Sequence, residues 1–220
     1  MKSTQPATAS APRRKSCGPW WRRLVIETAG ATAVEFALIG LPFIFMIFTI
    51  IELALIMVLS ISLEDAASNM ARKIRVGLYV APGDTVTSTT GTQLDLTDFK
   101  THLCGYIYLV PASMCTAQVQ VDIRPFTSFS TVDLPSPITS GTFNASTLCY
   151  YSGSEGSIVL MRVYYLWPLI GAFWLGGLND VSAYTTSGGS TSTGQWAAIG
   201  ATEVFVNEAN PNISNTTNSC

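Results

Sequence analysis

The chain has 220 residues, 48% of them hydrophobic and only 12% charged, where a soluble domain usually carries about a quarter charged. A mean hydropathy of +0.33 excludes a disordered chain, which needs low hydrophobicity and high net charge, and argues against an ordinary cytosolic enzyme. The net charge of −2 hides an asymmetry: residues 1–82 hold nine Lys/Arg and five Asp/Glu, whereas residues 83–220 hold three and nine. A nucleic-acid binder concentrates cations on its folded domain; here the domain half is the acidic one, so no nucleic-acid partner is expected.

The first 30 residues carry six cations, Lys2, Arg13, Arg14, Lys15, Arg22 and Arg23, against the single acid Glu27. Then comes Thr28-Ala29-Gly30-Ala31-Thr32-Ala33-Val34-Glu35-Phe36, a Gly followed by small or apolar residues with a Glu five places on. From Phe36 to Leu63 the sequence is apolar for 28 residues with Glu52 as the only charge, about 42 Å of helix against the ~30 Å of a hydrocarbon core. The run predicts a membrane-spanning helix. The positive-inside rule places its N-terminus in the cytoplasm and the C-terminal domain outside. A cleaved signal peptide shares the basic-then-apolar order, but the small-residue candidate Ser60-Ile61-Ser62 follows an apolar core far longer than such peptides use. Pro42 removes one helical hydrogen bond, which membrane helices tolerate.

A carboxylate within a membrane helix is costly unless paired or near an interface. Glu35 stands at the cytoplasmic mouth of the span. Glu52, 21 residues beyond Ala31, reaches the far interface by helix rise alone, with a contact to a neighbouring membrane helix as the alternative. Beyond the span, Leu63, Ala67, Met70 and Ile74 recur at helical spacing with Ala66 and Ala71 beside them. The helix is therefore expected to continue outside the bilayer and to pack on the protein's own sheet, with Gly77 and Pro82-Gly83 ending it.

After residue 83 the period changes. Gln118–Ile123 alternates polar and apolar, Ile158–Trp167 is a richer run before Pro168, and Thr202–Asn207 is a third strand candidate. The Ser/Thr/Gly/Asn stretches 84–92 and 184–194 read as loops. Together these predict an α+β fold: a long N-terminal helix, half transmembrane, packed on a small β-rich extracytoplasmic domain. The expected divisions are 1–30, a basic cytoplasmic leader; 31–80, the helix and its continuation; and 81–220, the β-rich domain. Cys104, Cys115, Cys149 and Cys220 give an even count on the outer side, where disulfides form. Of three pairings, Cys104 with Cys115 closes a short loop and leaves Cys149 with Cys220.

His102 is the sole histidine, and no CxxC, HExxH, GxGxxG or P-loop accompanies it. No catalytic residue, metal or cofactor is expected. Tyr164, Tyr165 and Trp167 read as core and sheet-face residues. The triplets at Asn144, Asn212 and Asn215 read as solvated loops.

The basic leader and the Gly30/Glu35 junction resemble the processing site of type IV pilin precursors. The resemblance implies a prepilin peptidase cut between Gly30 and Ala31, and pairing of the new Ala31 amine with Glu35 as subunits pack. GATAVEFALIGLPFIFMIFTIIEL, the amphipathic EDAASNMARKIRVG, CGYIYLVPASMC, IVLMRVYYLWPLI and ATEVFVNE, in that order, resemble the TadE-like family of tight-adherence (Flp-type) pilus assembly proteins. Members of that family often have Pro after the final Asn-Glu, where this chain has Ala209. The resemblance implies a non-enzymatic, minor pilin-like subunit in the bacterial inner membrane. Gly30 and Ala31 would form its processing site, and Glu35 and Phe36 its docking residues. Its partners would be the membrane, the prepilin peptidase, the major pilin, sibling pilin-like subunits and the inner-membrane platform. The rival expectation is an unprocessed, single-pass, membrane-anchored binding protein.

Overall fold

The computed structural model describes residues 31–81, 92–132, 134–171, 180–186 and 189–208. Helix α1 runs Ala31–Arg75 and passes Pro42 without ending. By compactness the chain divides at residue 47 into an N-terminal unit and a larger unit, Phe48–Cys220. In the N-terminal unit the described side chains of α1 are exposed nearly all round, Val34, Phe36, Leu38, Ile39 and Phe43 among them. A helix apolar on every face is suited to lipid rather than water.

In the larger unit α1 becomes one-sided. Leu59, Leu63, Ala66, Ala67, Met70, Ala71 and Ile74 are buried, and Glu64, Asp65, Ser68, Asn69 and Arg72 are exposed, as the helical spacing predicts. The small residues on this face let the helix lie close to the sheet. Gly77, at φ +70°, closes the helix in a Schellman arrangement: its N–H donates to Ile74 O (2.8 Å), and Leu78 N–H donates to Lys73 O (2.8 Å). The left-handed conformation there favours glycine. The second expected stop, Pro82-Gly83, lies outside the described residues.

Strand β1 (Tyr79–Val80) pairs in parallel with β2 (Thr92–Gln93). Two short helices follow, α2 (Leu96–Cys104) and α3 (Ala112–Gln118). Both fall in a region the sequence pattern left without elements. Asp95 caps α2, its carboxylate accepting from Asp98 N–H at 2.7 Å. The expected disulfide joins the two helices, Cys104 to Cys115, with Cα atoms 5.8 Å apart.

The main sheet is built from β3 (Val119–Phe126), β4 (Ile138–Thr139), β5 (Thr142–Asn144), β6 (Ile158–Pro168), β7 (Val181–Thr185) and β8 (Thr191–Val206). Its order is β3-β6-β8-β7-β5-β4. The stretch 184–194, expected as a loop, instead forms the end of β7 and the start of β8, paired as Thr185↔Thr191 and Tyr184↔Ser192. Ser and Thr residues there satisfy the strand ladder as readily as a turn, and a neighbouring strand decides between the two. The third strand candidate is likewise the end of a much longer β8.

One sheet face carries the core with α1: Val119, Val121 and Ile123 of β3, Val159, Met161, Val163 and Tyr165 of β6, and Ile199 and Ala201 of β8. The opposite face closes on itself. Gln120 on β3 donates to the Tyr184 hydroxyl on β7 at 2.8 Å, although β6 and β8 stand between these strands. In a flat sheet the two would be about 14 Å apart, so this bond requires the sheet to curl. Phe143, at the centre of the enclosed cluster, meets the rings of Tyr164 (5.6 Å) and Tyr184 (6.0 Å). Tyr164 and Tyr165 thus take the packing roles expected, Tyr165 on the helix face and Tyr164 inside the curl.

Within the curl sits a buried charge cluster. Asp122, fully buried, stands directly across from Arg162 in the β3–β6 register. It accepts from Arg162 Nε (2.9 Å) and Nη2, from Arg124 Nε (2.9 Å) and from Cys149 N–H (2.8 Å). Arg162 also donates to Pro135 O (3.2 Å), and Arg124 to Thr147 O (2.5 Å). One carboxylate thereby fixes two strands and both limbs of the connection between β3 and β6. Removing one partner of such a cluster leaves an uncompensated buried cation, at a cost of about 3–5 kcal/mol. Asp122→Ala is therefore expected to lower the thermal midpoint of the detergent-solubilised chain by that equivalent, while Asp98→Ala at the α2 surface changes it little. An unchanged midpoint for Asp122→Ala would contradict the structural role of the cluster.

Candidate functional site

Of the two acids on the apolar helix, Glu52 is the one the folded domain uses. Its relative exposure is 8%. Oε1 accepts from Ile170 N–H at 2.8 Å and Oε2 from Gly171 N–H at 3.0 Å, so each carboxylate oxygen takes one of two successive backbone donors in the turn after β6. The sequence placed Glu52 at the far interface, or against a neighbouring helix. The structure joins it to its own domain, because the turn after Pro168 presents two N–H groups that no strand partner takes. No sequence signal pairs an acid with a backbone turn 118 residues away, although the abrupt Trp167-Pro168 end of the strand marked where such donors would fall.

A second attachment closes the other end of the helix. Arg75 pairs with Glu208 at 2.8 Å, and Glu208 N–H donates to Arg75 O at 3.0 Å. Beside it the buried Asn207 donates from Nδ2 to Ser152 O (2.8 Å) and Ser154 O (3.2 Å), and Ser152 Oγ accepts from Ala81 N–H (3.0 Å). The sequence reading took Asn207 as the end of a strand candidate and Asn207-Glu208 as part of a terminal likeness; in the fold the pair clamps the end of β8 to the end of α1. Lys73 lies over the rings of Tyr79 (4.8 Å) and Tyr106 (5.1 Å) and donates to the Tyr79 hydroxyl at 3.2 Å. Its interactions with the Tyr106 and Tyr79 hydroxyls hold its ammonium above the usual lysine range. By contrast, burial pushes Lys100, which donates to Gln120 Oε1 at 3.3 Å, down.

Helix residues 52–75 are thus fastened at both ends, to the close of β6 and the close of β8. By rise per residue the helix segment spans about 35 Å, as does the 11-residue β6. The match in length allows one uninterrupted core between the two fastenings.

The remaining expected site residues lie as follows. Gly30 is outside the described residues, and Ala31 is the first residue of α1. Glu35 and Phe36 are exposed on α1, Phe36 at 78%, with the Phe36 ring over Gly40 one turn on. Among the described residues none is recorded in a hydrogen bond or ion pair with Glu35. Cys149 is disulfide-bonded, and Cys220 lies outside the described residues. His102 is exposed in the last turn of α2, its ring 5.4 Å from that of Tyr79, with no nucleophile placed beside it. Among the described residues no cluster of three or more His, Cys, Asp or Glu could hold a metal ion. An open cleft of about 590 Å³ lies beside Leu96, Arg124, Thr147 and Tyr150. Its arginine is already committed to Asp122 and Thr147.

The structure therefore offers no assembled reaction centre among its described residues, but a long apolar helix with one acid satisfied by its own domain and one left exposed. The family model described as TadE-like protein matches residues 30–72. The match begins at Gly30, takes in Glu35, Phe36 and Glu52, and ends three residues short of the end of α1. No curated protein and no solved structure gives a significant match to the chain. The TadE-like segment supports a pilin-like component associated with tight-adherence pili, a structural rather than an enzymatic family, and with the apolar helix it supports membrane anchoring.

The Glu52 attachment carries a direct expectation. A hydrogen bond to a charged acceptor contributes about 1.5–3 kcal/mol, and Glu52→Ala removes two. Amide exchange at Ile170 and Gly171 is expected to accelerate in Glu52→Ala while Val163 and Tyr165 in the strand core stay protected, with Glu52→Gln intermediate. Unchanged exchange at Ile170 and Gly171 would show that another group holds the turn.

Proposed function

We propose that this chain is a minor pilin-like subunit of a tight-adherence (Flp-type) pilus or secretion apparatus. It is inserted with its N-terminus in the cytoplasm and its β-rich domain outside, and it acts by packing rather than by catalysis. Residues 1–30 serve as a leader that a prepilin peptidase removes between Gly30 and Ala31; residues 31–80 form the helix and its continuation, and 81–220 the extracytoplasmic domain. The observation that carries this reading is the match over residues 30–72, which starts at the expected junction and contains both helix acids.

The chemistry of the two acids supports a division of labour. Glu52 has both oxygens engaged within the subunit and is buried against its own domain. Glu35, exposed at the start of α1, accepts from no group among the described residues. An α-amino group created on Ala31 would lie one helical turn away and supply the charge that an acid at the edge of a bilayer needs. Pairing it within or between subunits sets the axial register in which helices meet. The disulfide-stapled sheet domain would then contact the major pilin or sibling subunits, and the inner-membrane platform would take up the helix.

Intact mass or N-terminal sequencing of protein recovered from membranes of a strain with its native peptidase is expected to give Ala31 as the first residue. Gly30→Leu is expected to accumulate precursor, and an intact leader in the unaltered protein would sink the processing step. Glu35→Ala is expected to insert and fold normally but to lose co-purification with pilus components. Retained co-purification would remove Glu35 from the docking role.

A further inference from the structure

The apolar run Phe36–Leu63 has 28 residues, about 12 Å more helix than a ~30 Å hydrocarbon core requires. That surplus falls where α1 already carries the sheet domain, yet the domain covers only one side of it. Leu59 and Leu63 turn inward, whereas Leu53, Met57, Val58 and Ile61 remain exposed, Met57 at 69% and Ile61 at 61%. At the level of Glu52, the turn held by its carboxylate presents Ile170 at 92% exposure. The sequence continues Ala172-Phe173-Trp174-Leu175, again without charge.

These exposed helix residues lie on one broad arc facing away from the domain, and Ile170 lies off that arc. Taking Glu52, which faces the turn, as reference, Leu53, Met57, Ile61 and Val58 point about 100°, 140°, 180° and 240° around the helix axis at 3.6 residues per turn. Ile170 lies on the remaining side, against Glu52 itself. A single partner helix covers one stripe of a helix; here one apolar arc faces away from the domain over about 12 Å of helix rise, and Ile170 adds exposed apolar surface on the Glu52 side. The cover that suits a collar is a lipid leaflet, and the collar is continuous with the span.

We propose that the membrane-proximal end of the sheet domain is immersed in the outer leaflet of the membrane. Lipid covers Leu53, Met57, Ile61 and the Ile170 turn, and the Glu52 carboxylate with its two backbone donors lies at or below the headgroups. The attachment is suited to that depth: in a water-poor layer a carboxylate and two free N–H groups are each costly, and joined they satisfy one another. The proposal rests on the membrane-anchored reading but not on a role in a pilus.

The test is photocrosslinking of the full chain in phosphatidylethanolamine–phosphatidylglycerol vesicles, with p-benzoylphenylalanine placed singly at Phe43, Met57, Ile170 or Glu155. Glu155 is exposed and precedes β6, at the end opposite Ile170. Phospholipid adducts are expected at positions 43, 57 and 170, with loss of the adduct at 155. Lipid adducts at 43 without one at 170, or crosslinks from 170 to a second copy of the chain, would overturn the immersed collar and leave the anchor standing. No lipid adduct at 43 would overturn the anchor and the collar together, and an adduct at 155 equal to that at 170 would overturn the assignment of this end.

Discussion

Two backbone N–H groups at the end of a strand, answered by one carboxylate on an apolar helix, set the relation on which the larger unit is built. A helix with an apolar face can slide or rotate on a sheet at modest cost, since dispersion and burial are nearly the same in neighbouring registers. A carboxylate with one oxygen on Ile170 N–H and the other on Gly171 N–H has a single satisfactory position. The Arg75–Glu208 pair and the Glu208 N–H bond to Arg75 O repeat the constraint at the far end. The exposed ion pair there contributes little by itself; the backbone bond and the buried Asn207 supply the geometry. Leu59, Leu63, Met70 and Ile74 then bury at fixed depths between two fixed points.

The other face of the sheet is held by a different economy. There the side chains are polar and aromatic, and the curl that brings β7 over β3 shuts them away from water. Asp122 offsets the desolvation of Arg162 and Arg124 by serving both, and the arginines in turn bind Pro135 O and Thr147 O. A cluster of this kind adds less stability than apolar side chains of the same volume would add. It does, however, specify which carbonyls the connection between β3 and β6 must present. The loop cannot close over the sheet in another way without stranding a guanidinium.

Whatever repeats locally was legible in the sequence. The apolar run, the buried face at Leu63, Ala67, Met70 and Ile74, the helix stop at Gly77, the β6 run and the Cys104–Cys115 loop each follow from periodicity, turn chemistry or short separation. What depended on partners distant in sequence was not. β8 extends back to Thr191 because β6 and β7 flank it, and its Ser/Thr-rich start has no strand signature of its own. α2 and α3 are too short for periodicity to stand out, and their order comes from packing beside β3 and from the disulfide. The acids divide in the same way. Glu35 was singled out by its spacing from Gly30, a local pattern, whereas the role of Glu52 is decided by a turn whose donors become free only when β6 ends at Pro168.

The contrast between those acids explains how one helix can serve two environments. An acid in an apolar segment must find donors, and the donors it finds determine what the segment does. Glu52 finds them in its own domain, so the C-terminal half of α1 is bound to that domain. Glu35 finds none among the described residues, and in the proposed subunit that requirement would be met by another chain or by a newly made terminus. A subunit with both acids satisfied internally would have no polar reason to choose one axial neighbour over another. One with neither satisfied would carry two costly charges into the bilayer. Satisfying Glu52 alone stabilises the folded domain, and in the proposed subunit it would leave the selection of neighbours to Glu35.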